Sequence, residues 1–77
     1  MNVIIYSKNN CAFCDKAIAL AKLKEVDLTV KKLEIDYSME EMALLFPTAR
    51  TFPQIVVDSK NIGGYTEFEA LVKQSSK

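Results

Sequence analysis

This sequence predicts an α/β fold: a four-stranded mixed sheet, built as βαβ and then ββα, flanked by three helices. Three observations predict it. Short stretches rich in β-branched residues, the apolar run at residues 3–6 and Gln54–Asp58, read as strands. Stretches of helical composition lie between and after them, two of them opening on the Ser/Thr-x-x-Glu capping pattern. The first half alternates strand and helix, which calls for a crossover and parallel strands, and the second half closes with a hairpin and a helix.

The first strand is Val3-Ile4-Ile5-Tyr6, ended by Ser7-Lys8-Asn9-Asn10. From Ala12 to about Lys24 the residues are mostly strong helix formers: Ala, Ile, Leu and Lys. Ala17, Leu20, Ala21 and Lys24 fall on one stripe of that helix, with Leu23 beside it. Residues 29–36, TVKKLEID, read as the second strand. Its alternation is clean only in the second half, where Leu33 and Ile35 share a face opposite Glu34 and Asp36. Ser38 and Glu41 then form a capping box, and the helix they open is expected to run to about Phe46, because the residue before Pro47 avoids helical backbone. Gln54–Asp58 is the third strand. Ser59-Lys60-Asn61 reads as a tight turn into a short fourth strand around Ile62, and Gly63-Gly64 breaks the chain. Thr66-Glu67-Phe68-Glu69 is a second capping box, opening a last helix that buries Phe68, Leu71 and Val72. The tail at residues 75–77 is expected to fray.

The chain has 77 residues, which predicts one small domain over 1–77. Hydrophobic residues make up 49%, so the composition is that of a folding chain and not of a disordered one. Ten basic residues balance ten acidic ones, and no block of one sign appears. Nucleic acid and membrane surfaces therefore find no electrostatic footing here. The apolar runs are too short to span a bilayer, and MNVIIYS lacks the pattern of a secretory signal. A cytoplasmic monomer is the expectation.

Only two cysteines are present, Cys11 and Cys14, three apart at the junction of the first strand and the first helix. A bridge between them closes too small a loop to staple the unfolded chain effectively. It makes more sense as a bond that opens and closes. At or next to the helix N-cap, the Cys11 thiolate is favoured by the helix dipole, by unpaired N–H groups and by Lys8 and Lys16 nearby in sequence. Such surroundings bring a cysteine below its free value of roughly 8.5. Cys14, one turn further in, is placed to reach Cys11 while being less exposed, as a resolving thiol requires. A tetrahedral zinc site needs four ligands, and the chain has no histidine and no further cysteine, which leaves only a site shared between chains. Two inert thiols would leave the position at a helix start unexplained.

With the cysteine pair in place, the sequence resembles the glutaredoxins, thioredoxin-fold proteins that use glutathione. The resemblance spans nearly the whole chain and rests on three pieces in order. Tyr6-Ser7-Lys8 followed by Cys11-Ala12-Phe13-Cys14 is similar to the family's C-P-Y-C site. Thr51-Phe52-Pro53-Gln54-Ile55 is similar to T-V-P-Q-I, and Ile62-Gly63-Gly64-Tyr65-Thr66-Glu67-Phe68 to I-G-G-Y-T-D-F. The resemblance implies a glutathione site made of Lys8, Phe13, Phe52, Pro53, Gly64, Thr66 and Glu67. It implies a cis bond before Pro53, with the Phe52 N–H and C=O turned outward to pair with an extended peptide. It places the γ-glutamyl end at the start of the last helix, with the Glu67 carboxylate on the ligand's ammonium, and Lys8, with Arg50 as a weaker candidate, on the glycyl carboxylate. Pro47 is expected only to end a helix.

The chain departs from the family pattern at three of these positions. Ala12 replaces proline and keeps an N–H, which is expected to donate to the Cys11 sulfur. Phe13 replaces tyrosine and Glu67 replaces aspartate. The resulting expectation is a glutathione-dependent thiol–disulfide oxidoreductase with glutathione as co-substrate and no metal. Cys11 attacks protein disulfides or glutathionylated thiols, and Cys14 or glutathione resolves the intermediate. The resemblance makes ribonucleotide reductase a candidate client. Two alternatives stay open at this point: a redoxin recharged by thioredoxin reductase, and a carrier that shares an iron–sulfur cluster between two chains.

Overall fold

Along the first strand, β1 (Asn2–Ser7), side chains alternate between two covered faces. Val3 and Ile5 pack with Ile55 and Val57 and with Ala17, Ala21, Phe68 and Val72. Tyr6 turns the other way, onto Tyr37, Met42 and Phe46, with Ile4 and Val56 against that group. A strand buried on both faces needs a continuous apolar run, which is what VIIY provides. The structure is a computed structural model that describes residues 1–49 and 51–75.

The remaining elements are α1 (Ala12–Leu23), β2 (Asp27–Lys32), α2 (Met39–Leu45), β3 (Gln54–Val57), β4 (Lys60–Gly63) and α3 (Tyr65–Ser75). The sheet order is β2-β1-β3-β4. β1 runs parallel to β2 and antiparallel to β3, and β3 pairs antiparallel with β4. This is the expected mixed sheet with three helices. The two clusters put α1 and α3 on one face and α2 on the other. Among the described residues no helix is long and apolar enough to cross a membrane.

Several local expectations shift. β2 begins and ends earlier than residues 29–36, because its partner β1 stops at Ser7, which pairs with Lys32. Past that point the chain turns. The Asp36 carboxylate accepts from the Lys32 N–H at 2.8 Å, and the Asp36 N–H donates to the Lys32 carbonyl at 2.8 Å. A local side-chain bond of this kind competes with strand pairing. Leu33 packs on the second cluster, whereas Ile35 is 72% exposed, so the two do not share a buried face.

The helix stripe holds for Ala17, Leu20 and Ala21, while Leu23 is 75% exposed and Lys24 is the exposed C-cap. The Ser38 box forms as expected: Ser38 Oγ accepts from the Glu41 N–H at 3.1 Å, and Glu41 Oε1 accepts from the Ser38 N–H at 3.2 Å. Phe46 caps α2 just before Pro47.

The hairpin turn lies earlier than Ser59–Asn61. Asp58 and Ser59 carry the positive φ values, 48° and 70°, that a two-residue type I′ loop needs. Lys60 and Asn61 therefore belong to β4, with Val57 paired to Lys60. Asp58 is held there by Asn2, whose N–H donates to the Asp58 carboxylate at 2.8 Å.

The second capping box also moves. α3 starts at Tyr65, so Thr66 lies inside the first turn and does not cap it. Glu67 Oε1 accepts from the Gly64 N–H at 2.7 Å, and Glu69 instead receives the Tyr65 hydroxyl. Phe68 and Val72 are buried and Leu71 is half-buried. The helix reaches Ser75, and the rest of the expected frayed tail lies outside the described residues.

Candidate active site

Asn10, with φ 55°, takes a left-handed conformation that asparagine tolerates, and turns the chain from β1 into α1. Cys11 follows as the N-cap of α1, in extended backbone. It is half-buried, whereas Cys14 is 1% exposed. The two sulfurs form a disulfide across Cα atoms 5.2 Å apart. The Cys14 N–H also donates to Cys11 Sγ at 3.1 Å. The amide at the Cys11 sulfur is thus Cys14's and not, as expected, Ala12's. The reason is cap geometry: an N-cap side chain accepts from the second or third helical N–H, and Cys14 is the third.

The Phe52-Pro53 peptide is cis, as expected. The loop before it is pinned by Gln54, a buried side chain whose Nε2 donates to the Thr51 carbonyl at 2.9 Å. Across from this loop, Gly63 sits at φ 108°, and a Cβ there would lie 2.9 Å from Glu67 Oε1. The backbone angle is what calls for glycine, since the Glu67 carboxylate is the end of a side chain that can shift.

These pieces converge. Phe13, Phe52, Pro53, Gly64, Thr66 and Glu67 line one groove of about 260 Å³, together with Thr51 and Tyr65. Lys8 is exposed beside it, with Nζ 5.2 Å from the centre of the Phe52 ring. Arg50 lies outside the described residues. The first turn of α3 lines the groove, and a helix N-terminus carries partial positive charge. One Glu67 oxygen is already engaged with the Gly64 N–H. A second, more polar hollow of about 440 Å³ lies behind Gly63, between Thr48 and Asn61, and shares Thr51, Gly64 and Glu67 with the groove.

Tyr65, part of the third motif piece, belongs to this site as well. Its ring centre lies 5.9 Å from that of Phe13, and the Phe13 ring is capped by Lys16 Nζ at 5.1 Å. The Tyr65 phenol is held above its ordinary value, first by its hydrogen bond to Glu69 and then by burial and the Glu69 charge. The missed signal was an aromatic side chain one position before the helix residues assigned to the ligand. Gln54 was missed because its partner is a carbonyl three residues away, which leaves no mark in the pattern. Among the described residues no group of three or more His, Cys, Asp or Glu converges on a metal position.

Comparison with known proteins agrees with this geometry. The family model described as glutaredoxin matches residues 3–62. The chain is 33% identical to glutaredoxin 3 of Escherichia coli, over 91% of this chain and 84% of that protein. It is 38% identical to a glutaredoxin of Haemophilus influenzae, over 96% of this chain and 93% of that one. Among solved structures, oxidised Escherichia coli glutaredoxin superposes with a TM-score of 0.79 at 30% identity, covering 99% of this chain and 98% of the other. A buckwheat glutaredoxin–glutathione complex gives the same TM-score of 0.79 at 22% identity, over 95% of this chain and 69% of that one, and so speaks for the fold alone.

Proposed function

The chain belongs to the glutaredoxin family and is a thiol–disulfide oxidoreductase with a redox-active Cys11-x-x-Cys14 pair, and on that premise we propose that it draws its reducing power from glutathione. The observation that carries this reading is the groove lined by Phe13, the Phe52-Pro53 loop and the first turn of α3. Such a groove suits an extended peptide, with a backbone to pair with and an anion site at the helix start. A tripeptide with a carboxylate at each end matches that layout. Its γ-glutamyl carboxylate takes the Thr66 and Glu67 N–H groups, its ammonium takes the second Glu67 oxygen, and its glycyl carboxylate lies toward Lys8.

The reaction runs in two exchanges. The Cys11 thiolate attacks the glutathione sulfur of a glutathionylated thiol, forms a mixed disulfide with glutathione and releases the client as a thiolate that takes up a proton. A second glutathione thiolate attacks that mixed disulfide, which yields glutathione disulfide and restores the Cys11 thiolate. On a protein disulfide, Cys14 resolves instead: its thiolate attacks the Cys11–client bond, releases the client dithiol and leaves the Cys11–Cys14 disulfide present in this structure. Glutathione then reduces that bond. A thiol couple of this kind suits a cytoplasm kept reducing by glutathione. Ribonucleotide reductase is one disulfide client to assay.

The test couples reduction of a mixed disulfide to glutathione and glutathione reductase, beside the same assay with thioredoxin reductase in their place. Turnover with glutathione is the expected result. Turnover only with thioredoxin reductase would overturn the glutathione reading while leaving the thiol chemistry intact.

A further inference from the structure

Phe13 stands on the first turn of α1 beside the reactive sulfur, yet 54% of it is exposed. Its ring partner among the described residues comes from another element: Tyr65, on the first turn of α3, at 5.9 Å and tilted by 39°. The two helices thus close an apolar wall on the side of the groove nearest the cysteines. What keeps Tyr65 in that pose is Glu69, one turn further along α3, whose Oε2 accepts the Tyr65 hydroxyl at 3.0 Å. The other Glu69 oxygen is only 3.8 Å from Lys73 Nζ, a more exposed and weaker tie. A tyrosine at a groove edge otherwise samples several rotamers, and a fixed hydroxyl removes that freedom before a client arrives.

We propose that Glu69 is a positioning residue: by holding the Tyr65 hydroxyl it fixes the Tyr65 ring against Phe13, and the resulting wall favours client proteins with an apolar side chain next to the modified cysteine. The inference rests on the reading that Cys11 attacks a glutathionylated client seated at this groove. A client reaches the sulfur past an exposed phenyl ring, so an apolar neighbour of its cysteine is desolvated on contact and a polar one loses water without return.

The test uses two glutathionylated peptides that differ only in the residue after the modified cysteine, leucine or serine. The wild-type chain is expected to show the lower KM for the leucine peptide. Glu69→Ala is expected to raise that KM by about two- to tenfold, the range an aromatic pair contributes, with kcat unchanged and the preference lost. Glu69→Gln keeps an oxygen acceptor for the hydroxyl and restores the preference, and Lys73→Ala leaves it as in wild type. In NMR spectra, cross-peaks between the Phe13 and Tyr65 rings disappear in Glu69→Ala and persist in Glu69→Gln. The proposal falls if wild type does not prefer leucine, if Glu69→Ala keeps the preference, or if Glu69→Gln behaves as Glu69→Ala. Should wild type turn over neither peptide with glutathione, the glutathione reading fails, and the ring cross-peaks alone decide the role of Glu69.

Discussion

The Cys14 amide donates to the Cys11 sulfur at 3.1 Å, while the Cys14 side chain itself is buried. One residue thus supplies both the disulfide partner and a backbone donor to the Cys11 sulfur. After reduction the same N–H favours negative charge on Cys11, because a hydrogen bond to the charged form stabilises it. The asymmetry between the two thiols follows from this cap and from their unequal exposure.

Replacing Cys11 by serine is therefore expected to abolish all exchange. Cys14→Ser keeps turnover on glutathionylated substrates, where glutathione resolves the intermediate, and loses activity on protein disulfides that need both thiols. Alkylation of the reduced chain at neutral pH, read by peptide mass, should label Cys11 first. Earlier labelling of Cys14 would reverse the assignment.

Glu67 separates capping from ligand charge. Its Oε1 accepts from the Gly64 N–H at 2.7 Å, a bond that an amide oxygen can also make. Glu67→Gln should leave the melting temperature close to wild type and weaken glutathione binding by about 1 kcal/mol, roughly fivefold, since the carboxylate is exposed. Lys8→Ala should weaken binding less than Glu67→Gln. Calorimetric titration checks both, and equal affinity for wild type and Glu67→Gln would remove the ammonium contact.

Tyr37 makes stability fall at high pH. Its hydroxyl donates to the Ser7 carbonyl at 2.7 Å, and burial, with the Tyr6 charge second, pushes its pKa up from 10.0 to about 12. The folded state holds this proton more tightly than the unfolded chain. The contribution is complete below pH 10.0 and is lost as pH rises toward about 12. Tyr37→Phe should cost about 1 kcal/mol at neutral pH, the value of one neutral hydrogen bond. Ser7 keeps the Leu33 N–H as a donor at 2.9 Å, so its carbonyl is not orphaned. Urea midpoints across the alkaline range should fall more steeply for wild type than for Tyr37→Phe.

Ser59 holds φ 70° in a hairpin loop whose neighbour Asp58 is at 48°. Left-handed backbone is costly for a residue with a Cβ and nearly free for glycine. Ser59→Gly, which makes the favoured Asp-Gly loop, should stabilise the fold by about 0.5–1 kcal/mol. A rise in Tm of about 4 °C is the expected reading for a chain of this size. An unchanged or lower Tm would mean that serine makes a compensating contact in the loop.

What could be read without coordinates came from short-range rules. Cys11 at the start of a helix, the Ser38–Glu41 box and the strand through Ile4 and Ile5 each rest on residues within one turn or one pleat of each other. The three motif pieces placed Phe13, Phe52, Pro53, Gly64, Thr66 and Glu67 in one site because their order matches a known family. The same reasoning failed where strand pairing or the backbone angle of one residue decides. The second strand stops at Lys32 because β1 ends opposite it, and the Asp36 carboxylate then takes the Lys32 N–H into a turn. The cap of the last helix passes to Gly64 because Gly63, at φ 108°, brings Glu67 back onto that amide.

The sequence by itself determined which atoms can react: two thiols three apart, one of them at a helix N-terminus, in a chain with no other cysteine and no histidine. Only the tertiary structure decided what surrounds them. Phe13 and Tyr65 are 52 positions apart (65 − 13) and meet because α1 and α3 pack side by side on one face of the sheet. Helix and strand periods specify which side of an element is buried, but not which residue of another element it will touch. That pairing depends on long-range packing, where burial of Ile5, Ile55 and Phe68 in one core sets the distance between the helices.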